Sequence, residues 1–344
     1  MTHEEHAGLR PGPVRRWRPA PWLALALLAA TPAARAEEAV AAEPAAQSED
    51  RAMWRGSFLS YRNSVSLNSF DRGAELTYDP SYLMGLELGP RLWFGDALYV
   101  RASLAMQVEL TTADDTTYQH ELVLGDLAVV AGLSKILTLP LVGVDVSFDL
   151  VLTTPTSKLS QARSLRVGFG PGLRLSRSFD LLAGLEVGYT LRFNGNLHRY
   201  TTSTSETASI VGCTATDGSC DPFRNSGLRN SQLRVVNSLD LSLAFLSWLR
   251  LELAYGLVLD WTYPFDDDGG SRQQRHGSQF DAALAFQALP SLGVALGLST
   301  VSPQLAPDAS YYNPFYNRYS LVYLDLRLDF GGLVEQLTRE DGED

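Results

Sequence analysis

The sequence predicts an all-β fold: a transmembrane up-and-down antiparallel β-barrel of about twelve strands. Three observations predict it. From about Trp54 to Phe330, apolar and polar side chains alternate. The alternating segments are long. The connections between them are short and long by turns.

The chain has 344 residues, 45% hydrophobic and 19% charged, with two Cys. This composition excludes a disordered chain, a collagen and a disulfide scaffold. The formal charge is −11, from 28 basic and 39 acidic residues. Such a balance argues against nucleic acid as a partner. Only Lys135 and Lys158 are lysines, so nearly all positive charge is guanidinium.

The N-terminus reads as an address. Arg10, Arg15, Arg16 and Arg18 precede an apolar run, Trp22–Ala30, and the small-x-small triplet Ala34-Arg35-Ala36 follows. Positive, apolar, then cleavable is the order of a secretory signal peptide, here residues 1–36. The apolar run is too short to span a bilayer. Arg15-Arg16 invites a twin-arginine reading, but the Trp-Arg-Pro after it fits that signal badly. Cleavage leaves 23 basic and 37 acidic residues, a net −14. Residues 37–50 are Ala-rich, acidic and free of aromatics, the composition of a flexible periplasmic lead-in.

Beyond them the period is two. Leu98, Val100, Ala102, Leu104, Met106, Val108 and Leu110 alternate with Tyr99, Arg101, Ser103, Ala105, Gln107 and Glu109. Residues 249–263 repeat the pattern, with Leu251, Leu253, Leu257 and Leu259 against Arg250, Glu252 and Asp260. A helix would scatter these charges; a strand puts them on one side. Comparable runs fall at about 53–67, 81–94, 97–110, 120–133, 140–153, 162–177, 180–195, 231–246, 248–263, 277–289, 291–302 and 318–330. All exceed the roughly 5–6 residues of a soluble strand. About ten tilted residues cross a bilayer.

Gly95-Asp96, Arg177–Phe179, Leu246-Ser247 and Leu289-Pro290 are tight connections, and residues 134–139 (SKILTL) are slightly longer. Residues 68–80, 111–119, 154–161, 196–230, 264–276 and 303–317 are long and polar. Short turns then face the periplasm and long loops the exterior, with both ends of the barrel, residues 51–330, in the periplasm. A helical bundle is disfavoured because Lys135 and Pro140 interrupt the most apolar stretch, 127–146. A soluble sandwich would have shorter strands and a polar outer face.

The last strand, Tyr319 to Phe330, carries Leu324, Leu326, Leu328 and Phe330 on one face and ends in an aromatic. In this, and across roughly residues 51–330, the chain resembles Gram-negative outer-membrane β-barrel proteins, a porin-like class. The resemblance implies a multi-pass protein of the outer membrane, in contact with its lipid and lipopolysaccharide. It also implies insertion by the barrel assembly machinery, with Phe330 in the assembly signal. In that class the aromatic usually ends the chain; here Gly331-Gly332 and an acidic periplasmic tail to residue 344 follow. A monomer is expected.

With apolar faces turned to lipid, the inner face follows. Its basic members are Arg62, Arg91, Arg101, Arg166, Arg174, Arg192, Arg234, Arg250 and Arg327. Its acidic members are Glu87, Glu109, Asp126, Asp145, Asp149, Glu186, Asp240, Glu252, Asp260, Asp281, Asp325 and Asp329. Arginine suits such pairing because its planar fork donates two hydrogen bonds to one carboxylate. Two readings stay open: a charged ladder guiding small polar solutes, or an ion-pair network filling a non-conducting barrel with a structural or surface-recognition role. Gly168, Gly170, Gly172, Gly293, Ala295 and Gly297 face the same side and point to free space or to room for a loop folded inward; kinks that curve the sheet are the alternative. Trp93, Phe94, Trp248, Trp261 and Tyr263 fall near strand ends, where lipid-facing aromatic belts belong.

In the longest loop, Cys213 and Cys220 are expected to form a disulfide in a secreted chain. Asp266, Asp267 and Asp268 offer oxygens for Ca²⁺ but lack the EF-hand pattern, so a solvated loop is expected. Residues 311–319 (YYNPFYNRY) either stack on sugars or pack their loop down. His276 and Ser278 both point outward, where a Ser activated by His would attack an acyl ester of a membrane lipid. No orienting carboxylate shares that face, so an enzyme is not expected. No metal site or cofactor is expected, since HExxH, Walker, CxxC and dinucleotide patterns are absent. The expected function is passive passage of small polar solutes.

Overall fold

The computed structural model describes residues 52–70, 80–111, 118–204, 225–265, 273–306 and 308–334. The signal peptide, the lead-in, Cys213, Cys220, Asp266–Asp268 and the tail beyond Val334 lie outside them.

Twelve antiparallel strands close on themselves. They are β1 (Phe58–Ser66), β2 (Tyr82–Gly89, resuming as Arg91–Phe94), β3 (Leu98–Glu109) and β4 (Leu122–Leu124, resuming as Leu127–Leu139). Next come β5 (Val144–Thr154), the helix α1 (Lys158–Ala162), β6 (Leu165–Phe179), β7 (Gly184–His198) and β8 (Ser231–Leu246). β9 (Leu249–Thr262), β10 (Gln274–Leu289), β11 (Leu292–Pro303) and β12 (Ser320–Asp329) complete the wall. Each strand pairs with its sequence neighbours, and β12 returns to β1 with Asp329 opposite Phe58 and Leu321 opposite Ser66. Closure removes the sheet edge, which is how a sheet satisfies its backbone in hydrocarbon. Pro90 interrupts β2 because it has no N–H to give the ladder; its carbonyl still accepts from Ala102 N–H at 3.0 Å.

Leu133, Phe148, Leu150, Phe169, Phe193, Leu239, Leu296 and Leu324 are exposed on the outer face. Ser60, Glu87, Arg101, Ser103, Asp260 and Asp325 are buried on the other. Water does not support a belt of this size; a bilayer does. The chain is a twelve-stranded outer-membrane β-barrel. No helix among the described residues is long and apolar enough to cross a membrane.

Two expected turns move. β4 runs on through SKILTL, and the turn is residues 140–143. Opposite Phe148 and Val146 stand Leu133 and Leu137, so β4 carries two extra residues there. Lys135 adopts a left-handed φ of 50° in this bulge. The bulge breaks the alternation in sequence while keeping Leu133 and Leu137 on the same face. β6 likewise continues through Arg177–Phe179, with Phe179 opposite Leu185, and the chain reverses over 180–183.

At the other end, β12 stops at Asp329 rather than including Phe330. Phe330 opens a helical turn reaching residue 334. Its N–H still donates to Ser57 C=O at 3.0 Å. Asp329 Oδ1 accepts from Gly332 N–H at 2.9 Å and so caps this turn rather than joining an inner ion pair.

Candidate functional site: the charged inner face

Strand alternation gathers the inner charges into clusters. Where β12 meets β1, Arg62 donates to Asp325 Oδ2 from Nε (2.8 Å) and Nη2 (2.6 Å), and Ser60 Oγ donates to Oδ1 (2.6 Å). The Arg62 guanidinium lies 4.1 Å from the Tyr323 ring centroid, and the Tyr323 hydroxyl donates to Asp281 at 2.7 Å. Arg327 stacks 3.9 Å over Phe58, and Ser103 donates to Glu87 at 2.9 Å.

A second cluster spans β5 to β8. Arg174 donates to both oxygens of Asp240, at 2.9 and 2.7 Å, and reaches Glu186 at 3.3 Å. Arg192 pairs with Asp149 at 2.8 Å.

Of the inward glycines, Gly293 has no neighbour closer than 3.9 Å, but Gly170, Gly172 and Gly297 leave no free space. A Cβ on Gly172 would lie 2.5 Å from Asp149, one on Gly297 2.4 Å from the Tyr323 ring, and one on Gly170 1.6 Å from the Phe193 carbonyl oxygen. Gly132 and Gly188 are covered in the same way by Tyr99 and Asp240. At Gly132, Gly172, Gly188 and Gly297 a long side chain lies across the glycine of a nearby strand, flat against the wall.

At the long-loop end, Arg234 on β8, Asp260 on β9 and Arg275 on β10 stand in register. Arg234 Nε lies 3.6 Å from Asp260, which also accepts from Ser231. Arg275 Nη2 donates to Arg229 C=O at 3.1 Å. Arg163 enters just before β6. Its carbonyl accepts from Asn230 Nδ2 at 2.8 Å and His198 Nδ1 at 2.7 Å. Burial and then the nearby Arg234 and Arg275 lower the Arg163 guanidinium to about 10, against the pull of Asp260 and Asp126. Asp126, expected on the inner ladder, instead anchors the loop before α1. It accepts from Ser157 N–H at 2.9 Å and from the Ser160 hydroxyl.

The surroundings of the other expected members differ. Arg91 and Arg101 stand opposite each other, both buried, with Arg91 5.1 Å from the Tyr99 ring. Asp145 takes the Thr138 hydroxyl at 2.5 Å and Lys135 at 3.2 Å. Glu109 takes Thr111 at 2.7 Å, and Arg250 and Glu252 approach only to 4.0 Å. Arg166 falls in a register shift between Leu165 and Val167, is exposed, and joins none of these clusters. Trp93 is not lipid-facing: it pairs with inward Tyr99 (5.1 Å between centroids) and carries Arg55 over its ring.

The sequence reading missed Arg163, Arg275, Ser60 and Tyr323. Arg275 lies in a stretch read as loop, and extending the alternation of β10 by three residues would have found it.

On the outer wall, the aromatic segment 311–319 is packed down. Phe315 lies 5.8 Å from the Tyr255 ring and edge-on to Phe280 at 5.0 Å, both outward residues. Near it, Ser278, Thr300, Ser302 and Ser320 occupy outward positions yet are buried. Thr300 Oγ1 lies 2.7 Å from Ser320 Oγ and 3.1 Å from Phe315 C=O. Asn317 Nδ2 donates to Ser302 at 3.0 Å. Ser278 therefore faces Ser302, at 3.5 Å, and not His276, whose side chain is exposed.

No family model matches the sequence, and no curated protein matches it. Solved structures do. An outer membrane channel from Pseudomonas putida F1 is similar over 84% of this chain and 99% of its own, at 13% identity and a TM-score of 0.49. The NanC porin covers 79% and 98%, at 12% and 0.43. The KdgM porin covers 79% and 99%, at 10% and 0.39. The closed barrel stands on its own strand pairing, independently of these likenesses.

Proposed function

We propose that the barrel is a passive channel for small polar solutes, acting as a monomer, with Arg and carboxylate side chains lining its lumen. The Arg174–Asp240 bridge carries this reading. It runs across β7 instead of toward the barrel axis, as do Tyr99 over Gly132 and Tyr323 over Gly297. Side chains held flat keep a twelve-stranded lumen from filling, while paired charges keep its wall wettable.

The experiment is planar-bilayer recording on the refolded protein. Stepwise conductance is expected. A folded barrel that passes no current, intact or with residues 205–224 deleted, refutes the channel. The same silence would favour the second reading, a barrel closed by its ion pairs. That reading draws on the pairing of Arg62, Arg174 and Arg192 with carboxylates. Lipid hydrolysis is not proposed, because Ser278 is buried beside Ser302 and makes no hydrogen bond to His276 among the described residues.

A further inference from the structure

We infer that the extracellular mouth holds a binding site for a small oxyanion, a carboxylate or phosphate group, built on Arg234 and Arg275. As a solute site it rests on the channel reading; as a binding site it does not.

The register sets Arg234, Asp260 and Arg275 side by side on three consecutive strands. Two guanidiniums thus flank one carboxylate. Asp260 does not satisfy them both. It accepts the Ser231 hydroxyl, and Arg234 Nε at 3.6 Å is too far for a hydrogen bond. Arg275 Nη2 donates to a neutral acceptor, the Arg229 carbonyl. Arg234 Nε and Arg275 Nη1 are buried with no hydrogen-bond partner. Buried guanidinium donors are rarely left so, because desolvation without an acceptor is unfavourable.

The frame around these donors is fixed. Asn230, almost wholly buried, ties the Arg163 and Tyr200 carbonyls together with its Nδ2, at 2.8 Å each. That brings a third guanidinium, Arg163, close to the same two. Burial, and after it the like charge of Arg234 and Arg275, lowers the Arg163 pKa. A trigonal or tetrahedral oxyanion answers each feature at once. It supplies acceptors to open N–H groups, matches the planar fork, and cancels positive charge.

The test is calorimetric titration of the full-length folded protein in detergent with inorganic phosphate at low ionic strength. One saturable site is expected, weakened at least tenfold in Arg275→Gln and unchanged in Arg177→Gln, at the periplasmic end of β6. Should Arg275→Gln fail to fold, Arg234→Gln reads the same site. No phosphate binding by the unaltered protein, or equal binding by the folded mouth variant, overturns the proposal. Binding without conductance keeps the site and removes the channel; conductance without binding does the reverse.

Discussion

Arg174 on β6 and Asp240 on β8 meet through two parallel hydrogen bonds, 2.9 and 2.7 Å long, across a strand to which neither belongs. The strand between them is β7, and the residue they cross is Gly188. A Cβ there would lie 2.3 Å from Asp240 Oδ2 and 2.7 Å from Arg174 Nη2. The ion pair exists because one position lacks a side chain.

Gly188→Ala should therefore act like the loss of a charge. We expect Gly188→Ala and Asp240→Asn each to destabilise the barrel by about 2 kcal/mol, the range for hydrogen bonds to charged groups. The double variant should lose clearly less than the sum, because both changes break one bridge. Reversible urea unfolding in phospholipid vesicles measures this. Full additivity would show that Gly188 does not act through Asp240.

If the barrel conducts, Arg174→Ala should shift its reversal potential in a salt gradient toward cation selectivity. The change leaves Asp240 and Glu186 without their shared guanidinium. Arg166→Ala should shift it less, because Arg166 stands at a bulge outside the clusters. Equal shifts would contradict the placement of these two residues.

The packed segment 311–319 predicts a protease phenotype. Asn317→Ala removes donors to Ser302 and to the Asn313 carbonyl (2.8 Å). We expect trypsin to cut after Arg318 severalfold faster, with a stability loss on the order of 1–2 kcal/mol. An unchanged rate would mean that Phe315 alone holds the segment.

Phosphate affinity at the mouth should depend on Arg163. Burial and the neighbouring guanidiniums lower its pKa to about 10, so it is charged below that pH and attracts the anion. Affinity should be level from about pH 8 to 9 and fall as pH rises through 10, since the bound anion favours the protonated form. Arg163→Gln should flatten this profile. A persistent fall in that variant would place the titration elsewhere.

The strands were legible because lipid and lumen impose opposite demands on successive residues. Leu98 to Glu109 shows this without help from tertiary structure. Legibility failed where the period slips. At Lys135 two extra residues hide a continuing strand inside what reads as a turn. At Arg275 a strand runs further into a polar stretch than its sequence suggests. Ser278 was placed on the correct face, but nothing local announces that a segment some thirty residues later covers it.

What the sequence by itself determined is a chain of alternating strands, because one-dimensional periodicity follows directly from a wall with oil on one side. What only the tertiary structure decided is which charges meet. Ion pairing depends on stagger between strands far apart in sequence, and on where a glycine leaves an aisle for its neighbours. Arg62 finds Asp325 only because the first and last strands close the cylinder. Arg275 stands against Asp260 only because of the register that the closed wall enforces.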